Sequence, residues 1–189
     1  IPWPIFIILI LLLGWRMLSW KAGILYAVMT FIIGGLGLWT EMIATLSIVI
    51  TSVLIAIALG IPIGIQMAYS PKLEAIIKPL LDGAQTMPSF VHLIPAMILF
   101  GLGTVPAVFA TIVYSIAPCI RLTNLAIKGV PKEMREAGYS YGSSPWQVLT
   151  KIELPQAMPT IMTGINQATM AAMSMVVISS MIGAKGLGE

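Results

Sequence analysis

A serine between two glycines is the one arrangement in this sequence that is typical of covalent catalysis. The string Gly138-Tyr139-Ser140-Tyr141-Gly142 fits GxSxG, the nucleophile elbow of hydrolases. That elbow requires a strand, a sharp turn and a helix, with a histidine base nearby, but the only histidine, His92, lies in a distant apolar segment. No strand pattern precedes Ser140 either. We therefore keep a hydrolase only as a third alternative, which reaction of Ser140 with a serine-directed probe would support.

The sequence lacks the residue patterns that bind metals or nucleotides. Cys119 is the only cysteine and His92 the only histidine, so the chain offers no internal disulfide and no zinc ligand set. The methionines between 158 and 181 are better explained as adaptable packing than as a metal or heme site. No GxxxxGK[ST] loop is present to bind phosphate. The sequence thus predicts no metal and no cofactor in this chain.

Charged residues are concentrated in one interval, 121–155, between apolar segments. Its residue types predict a polar helix over 121–136, followed by a turn that glycine permits. Pro145 would open a second short helix with Ser144 as its cap, and Pro155 would end that segment before the next apolar stretch. Two features favour docking of another protein. The small surface is formed by Ala137, Gly138 and Gly142, and the apolar anchor by Trp146, Val148 and Leu149.

The spacing inside this interval resembles the EAA loop, the cytoplasmic coupling loop of permease subunits in ABC importers that work with a binding protein. The family pattern is Glu-Ala-Ala, three residues, Gly, nine residues and Ile-x-Leu-Pro, and the chain departs from it only at Gly138, which replaces the second alanine. The resemblance implies a helix-turn-helix that sits in a groove of an ATPase subunit, which holds ATP and Mg²⁺. The residues expected to couple to that ATPase are Glu136, Ala137, Gly138, Gly142, Ile152, Leu154 and Pro155. The alternative is a solvated loop that only stabilises the helix bundle.

The composition is that of a membrane protein. The chain is 58% hydrophobic and 9% charged, with a mean hydropathy of +0.98, whereas soluble domains carry about a quarter charged residues. A net charge of +3 does not indicate nucleic-acid binding here, because the basic residues lie between apolar segments rather than along one face. The fold class predicted is an all-α, polytopic helix bundle in contact with lipid.

Six apolar segments are of the order needed to span a bilayer core of about 30 Å, which takes roughly 20 helical residues. They lie at 2–15, 22–39, 43–69, 86–102, 105–120 and 157–182. If the loop 121–155 is cytoplasmic, six alternating spans place every basic residue except Lys185 on the cytoplasmic side. We divide the chain into an N-terminal pair of membrane helices, 1–40, and a permease core, 41–189, and expect the protein to continue past its C-terminus.

Two of the predicted spans have features of a transport pathway. Pro88 and Pro95 should bend or break the span 86–102, and broken helices often line such pathways. Asn166 and Gln167 are costly toward lipid and should face protein or a cavity. The candidate pathway residues are Met87, Phe90, His92, Asn166 and Gln167. Helix packing alone would also explain them, and transport that survives their joint replacement would exclude them.

Small residues at four-residue spacing predict close helix contacts in two other places. Gly60 and Gly64 form a GxxxG pair in the third span, although such pairs also arise by chance in glycine-rich helices. Gly164, Ala168 and Ala172 form a stripe in the sixth span.

The segments 85–95, 100–106 and 121–124 also resemble the glycine betaine/proline branch of the importer family, and that resemblance is almost continuous over 41–189. It implies ATP-driven uptake of quaternary-ammonium osmoprotectants in a bacterial or archaeal plasma membrane. The implied partners are an ATPase, a second permease subunit in a homodimer, and a binding protein or fused binding domain. The alternative is an ATP-independent channel or secondary transporter, which would need charged residues within the spans, and they offer essentially none.

Overall fold

The computed structural model describes residues 3–188, which form helices joined by short turns. Residues 1, 2 and 189, which end some of the predicted segments, lie outside the described residues. The α-helices are α1 (Trp3–Met17), α2 (Trp20–Gly35), α3 (Trp39–Tyr69), α4 (Pro71–Thr86), α5 (Leu93–Phe100), α6 (Thr104–Lys128), α7 (Lys132–Ser140), α8 (Pro145–Val148) and α9 (Leu154–Ser179). Two 3-10 turns, Ser89–His92 and Ser180–Ile182, and a π turn, Leu149–Glu153, extend them. Because residues 3–188 contain no strand, the all-helical prediction is confirmed.

Three helices are long and apolar enough to cross a membrane. They are α3, α6 and the uninterrupted helical stretch Pro145–Ile182, which joins α8, the π turn and α9. The apolar helices α1 and α2 have 15 and 16 residues. At 1.5 Å per residue such helices are about 22 to 24 Å long, short of the roughly 30 Å hydrocarbon core. The described residues therefore contain three helices of spanning length where the sequence predicted six spans.

The predicted span 86–102 is wrong as a single helix. α4 ends at Thr86, and the segment Ser89–Phe100 that follows is bent from it by 117°. The break falls at Met87 and Pro88, because proline has no N–H for the helix and disfavours helical geometry in the residue before it. The predicted interruption of this segment is thus confirmed, and the amphipathic helix α4 lies almost entirely between the predicted spans 43–69 and 86–102. A fourth span exists only if this bent pair crosses as one unit.

The core is formed where α3, α6 and α9 pack against one another. A Cβ atom added at Gly64 would lie 2.6 Å from Thr123 Cβ, so α3 and α6 approach as closely as a glycine allows. Between α9 and α6, a Cβ atom at Gly164 would lie 3.0 Å from Leu122 Cβ. Ala168 and Ala172 continue this stripe and are fully buried. Both predicted sets of small residues are confirmed as helix contacts.

The N-terminal helices form a hairpin. α1 and α2 pack on each other at Gly14 and Gly23, where a Cβ atom on Gly14 would lie 2.7 Å from Gly23 Cα. One contact with the core is the edge-to-face pair of Phe6 and Trp39, whose ring centroids are 5.4 Å apart.

Candidate functional site

The charged interval forms a helix-turn-helix on the end of the bundle. α7 ends at Ser140, and the chain reverses through Gly142, whose φ of +76° is in the left-handed region that glycine adopts most readily. Ser144 then caps α8: its side chain accepts a hydrogen bond from the Gln147 N–H, and the Gln147 side chain accepts one from the Ser144 N–H. The predicted cap at Ser144 and the predicted helix start at Pro145 are confirmed.

Two helix boundaries in this interval differ from the prediction. The helix predicted over 121–136 is two helices, because α6 continues through Arg121 to Lys128 and the chain breaks before Pro131. Pro155 does not end the second segment, since it lies in the first turn of α9. The π turn directly before it ends with the Leu154 N–H donating to the Leu149 carbonyl. The hydrogen bonds of the π turn span five residues rather than four, and this wider turn accommodates Pro155, which has no N–H to donate. The segment therefore continues into α9 without a break.

The motif residues divide between the surface and the interior. Glu136, Ala137, Gly142 and Pro155 are exposed, whereas Ile152 and Leu154 are half-buried. Gly138 is buried, and a Cβ atom there would lie 2.5 Å from Ile152 Cδ1. The expectation that Gly138 offers a docking surface is therefore wrong, because its small size is used inside the chain to pack α7 against the π turn.

Large apolar side chains are exposed on this otherwise polar structure. Trp146 is 71% exposed and Tyr141 91% exposed, and Tyr139 and Met134 are also exposed. Trp146 and Tyr139 lie beside a surface cavity of about 250 Å³, which is lined by Tyr69, Tyr139, Pro145, Trp146 and Leu149. Exposed aromatic groups of this kind, on a small rigid scaffold, are typical of protein-binding surfaces.

A buried ion pair, absent from the sequence prediction, fastens the helix-turn-helix to the bundle. Glu153 is only 1% exposed, and its Oε1 lies 2.6 Å from Arg135 Nε. The Tyr69 hydroxyl group donates a hydrogen bond to Glu153 Oε2, and Arg135 Nη2 donates one to the Ile127 carbonyl. Glu153 occupies the unspecified position of Ile-x-Leu-Pro. Its only signal in the sequence is a charge directly before a long apolar segment.

A second set of ionic contacts joins α4 to the end of α6. Arg121 pairs with Asp82, and Lys128 pairs with Glu74, which also accepts a hydrogen bond of 3.3 Å from Asn124 Nδ2. The Lys128 ammonium group and the Asn124 amide hold the pKa of the Glu74 carboxyl below its ordinary value. The stability that this contact contributes is present above the ordinary pKa of a glutamate, and it is lost as the pH falls through the lowered pKa.

The candidate pathway residues occupy two regions. Met87 and Phe90 are exposed at the break between α4 and α5. His92 is half-buried, with its ring edge-to-face against Tyr114 and its Nδ1 buried without a hydrogen-bond partner in the described part of the chain. Asn166 and Gln167 are exposed on α9. The 3-10 turn that contains Phe90 and His92 packs on α9, but Asn166 and Gln167 face outward.

Residues 3–188 contain no cluster of metal ligands.

Two solved structures have this fold. The inward-facing MetNI methionine ABC transporter matches with a TM-score of 0.72 at 20% identity, over 80% of this chain and 76% of that one. An amino acid ABC transporter matches with a TM-score of 0.68 at 20% identity, over 85% of this chain and 78% of that one.

Residues 56–189 match the family described as binding-protein-dependent transport system inner membrane component, and the chain belongs to that family. It is 47% identical, over its whole length, to the glycine betaine/proline betaine transport system permease protein ProW of Escherichia coli (strain K12). It is 48% identical, over 99% of its length, to the glycine betaine/carnitine transport permease protein GbuB of Listeria monocytogenes serotype 1/2a (strain 10403S). The chain spans 53% of the first relative and 67% of the second.

Proposed function

We propose that this chain is the transmembrane part of a permease subunit in an ABC importer that takes up glycine betaine, proline or related quaternary-ammonium osmoprotectants. The observation that carries the proposal is the identity of 47 to 48% to permeases whose names specify glycine betaine transport, along practically the whole chain. Energy would come from ATP hydrolysis in a partner subunit that binds ATP and Mg²⁺. The chain's own contribution is a path through the membrane and a site where the partner acts on it.

The helix-turn-helix is the proposed site of contact with the ATPase. Support comes from the exposure of Trp146, Tyr139 and Tyr141, and from the turn at Gly142 that presents them. Within the motif, Gly138, Ile152 and Leu154 would shape the site from inside, whereas Glu136, Ala137, Gly142 and Pro155 would face the partner. The end of the bundle that carries the helix-turn-helix would lie in the cytoplasm, in agreement with the basic residues around it.

Transport would follow from a shift between conformations rather than from covalent chemistry in this chain. ATP binding in the partner would favour an outward-facing arrangement and hydrolysis would reset it, because a ligand biases only those states that it binds unequally. The broken helix around Met87, Phe90 and His92 and the polar face of α9 at Asn166 and Gln167 are the proposed lining of the path. A second permease subunit would supply the other half, and a binding protein or fused domain would deliver the substrate.

Uptake of radiolabelled glycine betaine into proteoliposomes that hold the complete importer tests this function. We expect uptake only when ATP is enclosed with the ATPase, and competition by proline betaine. Empty liposomes and a complex loaded with a non-hydrolysable ATP analogue are the controls. Uptake without ATP would instead support an ATP-independent channel or secondary transporter. If the complex assembles in the presence of ATP but takes up no betaine, the assignment as a permease would stand and a different substrate would have to be sought.

A further inference from the structure

The buried ion pair at Glu153 joins the helix-turn-helix to every long helix of the bundle. Tyr69 is the last residue of α3, Ile127 lies in the last turn of α6, and Glu153 leads directly into α9. Arg135, in α7, contacts Glu153 and the Ile127 carbonyl together, and Tyr69 holds the second oxygen of the same carboxylate. One cluster therefore connects α7 with the ends of α3, α6 and α9.

This cluster is built for position as well as for stability. A carboxylate that is 1% exposed is costly unless its charge is paired and its oxygens are bonded. Here both oxygens have partners, and each partner lies on a different helix. Arginine suits the site because its planar guanidinium group can pair with the Glu153 carboxylate while another of its nitrogens donates a hydrogen bond to the Ile127 carbonyl. One ion pair and two hydrogen bonds thus hold α7 in position relative to the three helices.

Apolar packing alone leaves α7 less well fixed. Its main contacts are with α8 and the π turn, and they centre on Gly138 against Ile152 and Val148. Those partners belong to the same stretch that continues into α9. The contacts of Arg135 reach further: it bonds the Ile127 carbonyl of α6 directly, and Glu153 links it to Tyr69 of α3.

We propose that Tyr69, Arg135 and Glu153 form a coupling joint that transmits displacement of the helix-turn-helix to α3 and α6 as well as to α9. The inference rests on the proposed function, since it assigns the route by which the partner ATPase moves the path. In this proposal the three side chains are positioning residues, which act through the helices that they join. Loosening the joint should leave the ATPase working and reduce the transport that each ATP supports.

Two conservative variants of the full-length permease, assembled with its ATPase and binding protein in proteoliposomes, test the joint. Tyr69→Phe removes one hydrogen bond and keeps the ring, and Arg135→Lys keeps the charge but loses the planar fork. We expect normal assembly and ATP hydrolysis, and a fall of about tenfold in betaine taken up per ATP, the scale of one lost bond to a buried charge. The matched control, Tyr26→Phe, removes the same hydroxyl group from α2, outside the joint.

The outcomes separate the joint from the function on which it rests. A wild-type complex without ATP-dependent betaine uptake would contradict the proposed function. A wild-type complex that transports, with both variants transporting as much per ATP as the control, would overturn the joint. Failure of both variants to assemble would make the cluster a folding contact, which overturns the joint equally.

Discussion

At the scale of single residues, Gly142 sets the direction of the helix-turn-helix. Its φ of +76° lies where a residue with a Cβ atom is strained, and a Cβ atom there would have no neighbour within 4 Å in this chain. A side chain at this position would therefore project away from the bundle. Under the proposed function, it would project into the interface with the ATPase.

Gly142→Asp should abolish uptake and stimulated ATP hydrolysis while the permease still inserts into the membrane, because a carboxylate would be carried into the docking surface without a partner. The measurement is ATP hydrolysis and betaine uptake by the reconstituted complex. Gly37→Asp is the matched control, because Gly37 also has a positive φ of 79° and open space around it, in the turn between α2 and α3. Equal losses in both variants would show that strain alone explains the effect.

Gly138 and Glu153 mark the limit of what residue patterns reveal about the site. The residue types correctly located the turn at Gly142 and the cap at Ser144, because turns and caps depend on local chemistry. It could not show that Gly138 faces Ile152 or that Glu153 meets Arg135 and Tyr69. Those contacts join segments that are distant in sequence, and only the packing of the helices brings them together.

At the scale of helices, the contact between α3 and α6 depends on the absence of side chains. A Cβ atom at Gly64 would lie 2.6 Å from Thr123 Cβ and 2.7 Å from the Ile120 carbonyl oxygen. The carbonyl is backbone and cannot turn aside, so the helices themselves would have to separate. In a membrane such close packing carries much of the association between helices.

Gly64→Ala should therefore lower the stability of the permease by about 1 to 3 kcal/mol, the usual cost of overpacking. Thermal unfolding of the detergent-solubilised protein measures the change. Gly83→Ala, in α4, is the control: a Cβ atom there meets nothing within 4 Å, and alanine in a helix is worth about 0.5 to 1 kcal/mol more than glycine. A Gly64 variant as stable as the Gly83 variant would contradict the importance of this contact.

Hydropathy predicted the long helices well and the bent segment poorly. α3 and α6 contain the predicted spans 43–69 and 105–120, and α9 overlaps most of 157–182, because long uninterrupted apolar segments have few alternatives to a helix. The prediction of 86–102 as one span was wrong, because apolar content does not indicate where the chain changes direction. Its prolines gave the position of the break, but the angle depends on what α4 and α5 pack against.

At the scale of the whole molecule, the exposed faces of the long helices differ in chemistry. The exposed side chains of α3 at Ile50, Leu54 and Leu59 are apolar and suit lipid. α9 instead exposes a stripe with helical spacing that mixes amides, hydroxyls and thioethers, namely Thr163, Asn166, Gln167, Met170, Met173 and Ser174. Amides facing hydrocarbon are costly, so this stripe should be covered by protein or by water. A second copy of the permease across a shared path would cover it.

Cysteine crosslinking tests this arrangement. Full-length permease in membranes should form a disulfide-linked dimer on oxidation when cysteine replaces Gln167, Met170 or Ser174 in turn. At least one of these positions should approach its equivalent within the roughly 4.4 to 6.8 Å between Cα atoms that a disulfide requires. Leu54→Cys is the matched control on the apolar face, and native Cys119 is buried and should stay unreactive. Dimers from Leu54→Cys and none from the α9 stripe would place the second subunit on α3 instead, and the polar face of α9 would then need another explanation.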